Sequence, residues 1–308
     1  MLDTRYHIIY LCAVFLMLGF GIIIGESLLG PVQVKQQKTA LKQLDARVSE
    51  TLADDKATHD VLSKTDAAWD AIRPRLVDGK LLNRRIALVQ TSDIPDSLND
   101  ARDSVTTAGG TTVDVIIGPN LQAYTPDENQ TVMDEITAAD PSASVNPTAS
   151  DAHTEIVQSL ARILTQGTSV HSANAEVLRI MQHHDIVTVD GDLSLPCDTV
   201  VLCGGSSVSP DRLVSAPGAA DSEIIDAVRE STPKHETIVG CETLTSASSF
   251  IPSYQESGVA TVDCVDMALG KVDLVFACLG GTEKADYGMK STATRQLPET
   301  LQNMGAAL

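Results

Sequence analysis

The run Ile8–Gly25 carries no charged side chain, and it constrains this chain more than any other stretch. As a helix at about 1.5 Å per residue it would span about 27 Å. Continuing through Leu28 and Leu29 brings it to about 33 Å, with Glu26 near one interface. A bilayer core is roughly 30 Å thick. A cleaved export signal has a shorter apolar region and then a small-x-small site. Here the run closes as IIIGESLLGP, where Ile23 and Ile24 are poor cleavage determinants and no A-x-A follows. Residues 1–30 are therefore expected to be an uncleaved anchor that crosses the membrane once. Within it Gly21 and Gly25 lie four apart, a spacing that lets a second helix approach closely. The flanking charges do not orient the segment, because Arg5 and the α-amino group on one side nearly balance Lys35 and Lys38 on the other.

Residues 31–81 read as a helical stalk. A heptad starts at Val34 and continues through Leu41, Val48, Asp55, Leu62, Trp69 and Leu76. The second core series, Gln37, Leu44, Thr51, Thr58, Thr65 and Ile72, is mostly polar. The apolar stripe needs a cover, either a parallel copy in a coiled coil or the chain's own domain. A homodimer through the stalk is the expectation, with Gly30-Pro31 as a break in register and Pro74 ending or kinking the helix.

After Asn83 the pattern changes. RRIALVQ, TTVDVII, DIVTVDGD, DTVVLC, TIVGC and ATVDCVD read as strands, with helices at DSLNDARDSVTT, near 151–166 and near 172–183. The polar stretch from Tyr124 to Asp151 reads as a long excursion with one short helix. Strands alternating with helices imply an α/β class with a mostly parallel, Rossmann-like sheet covered on both faces, spanning 82–308. The ending VDCVDMALGKVDLVFACLGG reads as two short strands around Leu-Gly-Lys, a C-terminal antiparallel hairpin.

The net charge of −19 argues against a nucleic-acid partner, since phosphates would be repelled. Cys12 lies in the apolar run, and Cys197, Cys203, Cys241, Cys264 and Cys278 are sparse and without a CxxC, so they do not form a disulfide framework. Buried packing is the plain reading of most of them. No catalytic set stands out: GxSxG is absent, and the seven histidines have no serine or cysteine partner by spacing. A non-catalytic chain is the expectation.

Two segments carry a resemblance. MLDTRYHIIYLCAVFLMLGFGIIIG matches a start of the type M-[IL]-D-x-R-Y-H followed by AVFL-x-L-x-x-G-x-x-x-G. Ser249–Asp266, then Gly270–Val275 and Tyr287-Gly288, match S-x-x-x-x-Y-x-x-x-G-x-x-T-V-D-x-V-D, G-[KR]-V-x-L-V and an aromatic-Gly pair. With the order anchor, stalk, α/β domain, the chain resembles the copper-transporter or MctB family of actinobacterial envelope proteins. The resemblance implies a cytoplasmic N-terminus, an extracytoplasmic domain and a role in copper homeostasis. It also implies envelope protein partners that the stalk and domain would help assemble.

The residues themselves give copper little support. A soft-metal site needs clustered Cys and Met, and there is neither CxxC nor MxxM. Cys203 and Cys278 are the sharper metal candidates: each ends an apolar run before a Gly-Gly pair, and both would sit at the carboxyl edge of a parallel sheet. Met181, His183, His184 and Asp185 read better as a solvated helix end. CGGSSVSPD offers a weak phosphate cradle without the P-loop lysine. Asn129 heads a glycosylation sequon, and Asp263 and Asp266 around Cys264 read as a solvated strand face. The alternative function is an enzyme or small-ligand domain with its site at the sheet edge.

Overall fold

The apolar strand runs are buried because both faces of one sheet are covered. The computed structural model describes residues 4–141, 152–169, 172–213, 218–231, 237–280 and 285–305. Contacts divide the chain into two units, Met1–Thr65 and Asp66–Leu308.

The first unit is the greater part of α1, Thr4–Val77. Tyr6–Ile24 has mean hydropathy 2.5, and none of it is buried. Leu41, Leu44, Val48, Leu52 and Val61 are also exposed. Gly25, Val34 and Gln37 lie in this helix, but their surroundings are outside the described residues. α1 runs through both Pro31 and Pro74, so Pro74 does not end it. Proline costs a helix one N–H, but its carbonyl still accepts: Asp78 N donates to Pro74 O at 3.0 Å.

The second unit begins at Asp66, inside α1. Val77 and Leu81 are wholly buried, and Arg73 pairs with Asp103 at 3.0 Å. Then come β1 (Arg85–Gln90), α2 (Pro95–Thr107), β2 (Thr111–Ile117), α3 (Asn120–Ala123), α4 (Pro126–Ala139), α5 (Ala152–Gln166), α6 (Ser172–His183) and β3 (Val187–Asp190). They are followed by β4 (Thr199–Cys203), α7 (Ala219–Ser231), β5 (Thr237–Cys241), α8 (Ile251–Glu256), β6 (Ala260–Val262), α9 (Ala268–Cys278), β7 (Asp286–Tyr287) and α10 (Glu299–Gly305).

Among the described residues, seven strands form one sheet in the order β3-β2-β1-β4-β5-β6-β7. All pairs are parallel except β2–β3, which is antiparallel at one edge. Successive side chains on a strand point to opposite faces. Thus Ala87, Val89, Val200 and Leu202 enter one core with residues of α4 to α8. Ile86, Leu88, Val201 and Cys203 enter the other, with Val77, α2 and α9. This is why the strands read as solid apolar runs rather than alternating ones.

Two expectations change. The C-terminal hairpin is absent: ALGKVDLVFAC is helix α9, and β7 pairs parallel with β6. Nearly every residue of α9 is buried, so it shows no amphipathic period and its short apolar run imitates strands. Its first amide, Ala268 N, is capped by Asp66 Oδ1 at 2.7 Å, a partner far away in the sequence. The polar excursion holds a fourteen-residue helix, α4, opened by a Thr125–Glu128 capping box. It buries Val132, Met133 and Ile136, while residues 142–151 of that excursion lie outside the described ones.

Candidate functional site

In an open α/β sheet, ligands sit at the carboxyl ends of the strands, where the strand order reverses. Here β1 connects to β2 on one side, and β4 returns on its other side. The reversal point is therefore bounded by Thr91-Ser92-Asp93 after β1 and Gly204-Gly205-Ser206-Ser207 after β4.

These loops are sewn together. Thr91 N and Ser92 N both donate to Cys203 O, at 3.3 and 3.2 Å. Ser207 donates its N–H to Asp93 Oδ1 at 2.9 Å and its hydroxyl to Asp93 Oδ2. Partial burial pushes the Asp93 carboxyl up, but the Ser207 hydrogen bonds outweigh it and hold it below the usual carboxylate range. The amide that a phosphate cradle would offer is thus taken by the chain's own carboxylate.

The interior of the crevice is filled by Tyr254. A Cβ at Gly204 would lie 1.9 Å from Tyr254 OH, and one at Gly240 would lie 2.2 Å from its ring. Glycine at both positions is what lets the ring lie across the ends of β4 and β5. Tyr254 OH donates to Asp221 Oδ2 at 2.7 Å. Asp221 is wholly buried, in the first turn of α7, and Thr91 Oγ1 and Asp221 Oδ1 are left without a closed hydrogen bond. Burial pushes Asp221 up to about 6, with the nearby Thr91 hydroxyl and the hydrogen bond from Tyr254 pulling the other way.

One strand further on, Glu242 follows β5 and is wholly buried. It accepts from Ser249 Oγ at 2.6 Å, Phe250 N at 2.8 Å and Lys290 Nζ. Asp263 follows β6 and accepts from Met289 N at 2.7 Å and Lys290 N at 2.9 Å. Asp266 accepts from Leu244 N at 2.7 Å, and burial pushes its carboxyl up. The reading of Asp263 and Asp266 as a solvated face is therefore overturned, because both are turned inward to tie loops down. A Cβ at Gly288 would lie 1.9 Å from Asp263 Oδ1, and Gly288 has φ +146°. The residues that carried the family resemblance, Ser249, Tyr254, Asp263, Asp266 and Gly288, thus form the hydrogen-bonded closure of this edge.

The paired placement of Cys203 and Cys278 is also overturned. Cys203 ends β4, but Cys278 ends α9, and its carbonyl accepts from Thr199 Oγ1, at the amino end of β4. A helix returning beneath the sheet delivers its last residue to the opposite edge. The thiol that does meet Cys203 is Cys241, its register partner on β5, with Sγ–Sγ at 3.8 Å. That contact, and then burial, push the Cys241 thiol well up. Burial does the same for Cys264 and Cys278. Among the described residues, no group of three or more His, Cys, Asp or Glu is gathered as metal ligands. His184 reaches Glu135 at 3.1 Å, and its carbonyl accepts from Asn120 and Tyr124, which is a joint between helices. Asn129 is buried in α4, an unsuitable position for a glycan.

In α1, Gly19 and Gly21 both face open space. The notch on the apolar surface lies over Gly19, between Cys12, Phe15, Leu16, Phe20 and Ile23. Gly21 lies about 200° further round the helix.

Sequence reasoning missed Glu242, Asp221 and Asp273. The signal for the last was present: one acid inside the apolar run KVDLVFAC, where a charge has no solvated face to occupy.

A family model described as "Copper transport outer membrane protein, MctB" matches residues 1–298. No curated protein matches the chain. Among solved structures, ligand-free aspartate transcarbamoylase from Trypanosoma cruzi is 9% identical, with 70% of this chain covering 90% of that one at a TM-score of 0.17. That likeness is too remote to carry an argument.

Proposed function

The chain belongs to the MctB copper-transport family, and from that membership we propose that it serves copper homeostasis as a membrane-anchored assembly protein rather than as a conduit or an enzyme. The observation that carries this reading is the form of α1. Its segment Tyr6–Ile24 is apolar and unburied, a surface that lipid would cover. The side-chain polar atoms of that segment are those of Tyr6, His7, Tyr10 and Cys12 near its start, so one copy lines no polar path for an ion. The sheet is open and buried under helices on both faces, whereas a membrane barrel turns one face of every strand to lipid.

In this reading residues 1–30 are a single-pass signal anchor, the N-terminus is cytoplasmic and the α/β domain is extracytoplasmic. The exposed stripe of Leu41, Leu44 and Val48 supports a parallel homodimer. The domain binds partner proteins of the envelope. Copper is cargo of the system, and the buried thiols of Cys203, Cys241 and Cys278 serve packing. The self-filled crevice at Tyr254 supports binding over catalysis, since the place where an α/β enzyme holds its substrate is occupied by the chain's own side chain.

The test is a deletion strain complemented with the full chain, a chain lacking residues 1–30, and Cys203→Ser/Cys241→Ser. Copper tolerance restored by the full chain and by the serine variant, but not by the unanchored chain, is the expected pattern. Tolerance lost with the two thiols, together with Cu(I) bound by the purified chain, would replace the assembly reading with direct copper handling.

A further inference from the structure

Asp273 stands in the middle of α9 and is wholly buried. Neither of its carboxylate oxygens has a hydrogen-bond partner among the described residues. α9 packs directly on the segment that begins with Asp263: a Cβ at Gly270 would lie 2.0 Å from Cys264 O, Asp273 follows one turn later on the same side of the helix, and the Asp263 carboxylate bears on it from the end of β6. Asp263 is committed elsewhere: its two oxygens accept the N–H groups of Met289 and Lys290 and so fasten the segment after β7. Two bare carboxylates cannot share such a site, so the pair needs either a proton or a cation.

The surroundings favour the proton. Lys290 Nζ is turned away to Glu242 and to Thr243 O. Lys271, on α9 itself, is held by Asp100 and Asp103 of α2. From the chain before β1, Asp66 caps α9, Arg73 pairs with Asp70 and Asp103, and Lys80 lies over the Phe276 ring. The strand ends add Cys241, Cys264 and Asp266, none of them cationic. Among the described residues no cationic side chain bonds either oxygen of Asp273, and no metal-ligand set of three is gathered there.

We propose that Asp263 and Asp273 form a proton-dependent latch: a proton held on Asp273 lets Asp263 fasten the segment from Gly288 to Lys290, and losing that proton loosens it. Burial, and then the charge of Asp263, push Asp273 up to about 8. With the folded value above the ordinary 3.8, the latch contributes fully at acidic pH and is lost as pH rises through about 8. Lys290 bonds Glu242 from the same segment, so release would also uncover the carboxyl ends of β5 and β6.

The test is amide hydrogen exchange of residues 286–290 in the purified full chain, corrected for intrinsic exchange, between about pH 7 and about pH 9. Wild-type protection should fall about tenfold over that interval, and the Asp273→Asn chain should stay flat. Infrared spectra of the wild type should lose a protonated-carboxyl C=O band over the same interval, a readout that does not depend on the variant folding. Flat wild-type protection, an equal fall in Asp273→Asn, or no such band would overturn the latch. So would protection recovered at high pH by added Ca²⁺ or Zn²⁺, which would assign a cation instead.

Discussion

Two apolar helical stretches of this chain meet opposite fates. Tyr6–Ile24 exposes its apolar side chains, with Leu16 at 63% and Phe20 at 61%. Ala268–Cys278 buries Val272, Leu274 and Val275 completely between a sheet and neighbouring helices. Composition barely separates them. Length does: nineteen residues suffice to cross a bilayer and eleven do not. The acid does as well, since α9 carries Asp273 where Tyr6–Ile24 carries none. An apolar run is thus a demand for cover, and its length and flanks decide whether lipid or protein supplies it.

The largest expected effect breaks the membrane side of this contrast. Leu16→Arg with Phe20→Arg puts two guanidinium groups at mid-span, each opposing insertion by roughly 3 kcal/mol. The chain should move from the membrane pellet to the soluble fraction. Retention in the pellet would mean that lipid is not what covers α1. Next, Leu274→Ala in α9 should cost about 2–5 kcal/mol by denaturant titration. Leu16→Ala should leave the melting of the α/β unit unchanged, and equal losses would erase the distinction.

A smaller effect concerns the crevice. Gly204→Ala drives a methyl group against Tyr254 OH and should lower stability by about 1–3 kcal/mol. Tyr254→Phe in the same background relieves the contact with the hydroxyl and should recover part of the loss. Full additivity of the two changes would argue against the filled crevice.

The smallest is a pH effect. Asp221, raised to about 6 from an ordinary 3.8, gives stability that is complete at acidic pH and lost as pH rises through about 6. Between about pH 5 and pH 7 its share is about 1 kcal/mol. Asp221→Asn, which still accepts from Tyr254, should flatten that slope in thermal melts.

Much of the sheet was legible. β1, β2, β4 and β5 announce themselves as Val, Ile and Leu runs closed by glycine or polar turns, and α6 begins and ends where its pattern does. The failures share a cause. α9 is buried all round and so has no period, and its start is set by Asp66, which lies in another element. The true neighbour of Cys203 depended on strand order, which local pattern does not encode. Asp263 and Asp266 looked solvated because alternation cannot tell water from a loop that donates N–H groups.

The central claim is an anchored chain with its α/β domain outside the cytoplasm. It is tested most directly by a single cysteine at Leu195, an exposed position, in a Cys12→Ser background. The five remaining cysteines are buried. A membrane-impermeant maleimide should label Leu195→Cys in intact cells to the extent seen after lysis. Labelling that appears only after lysis would contradict the account.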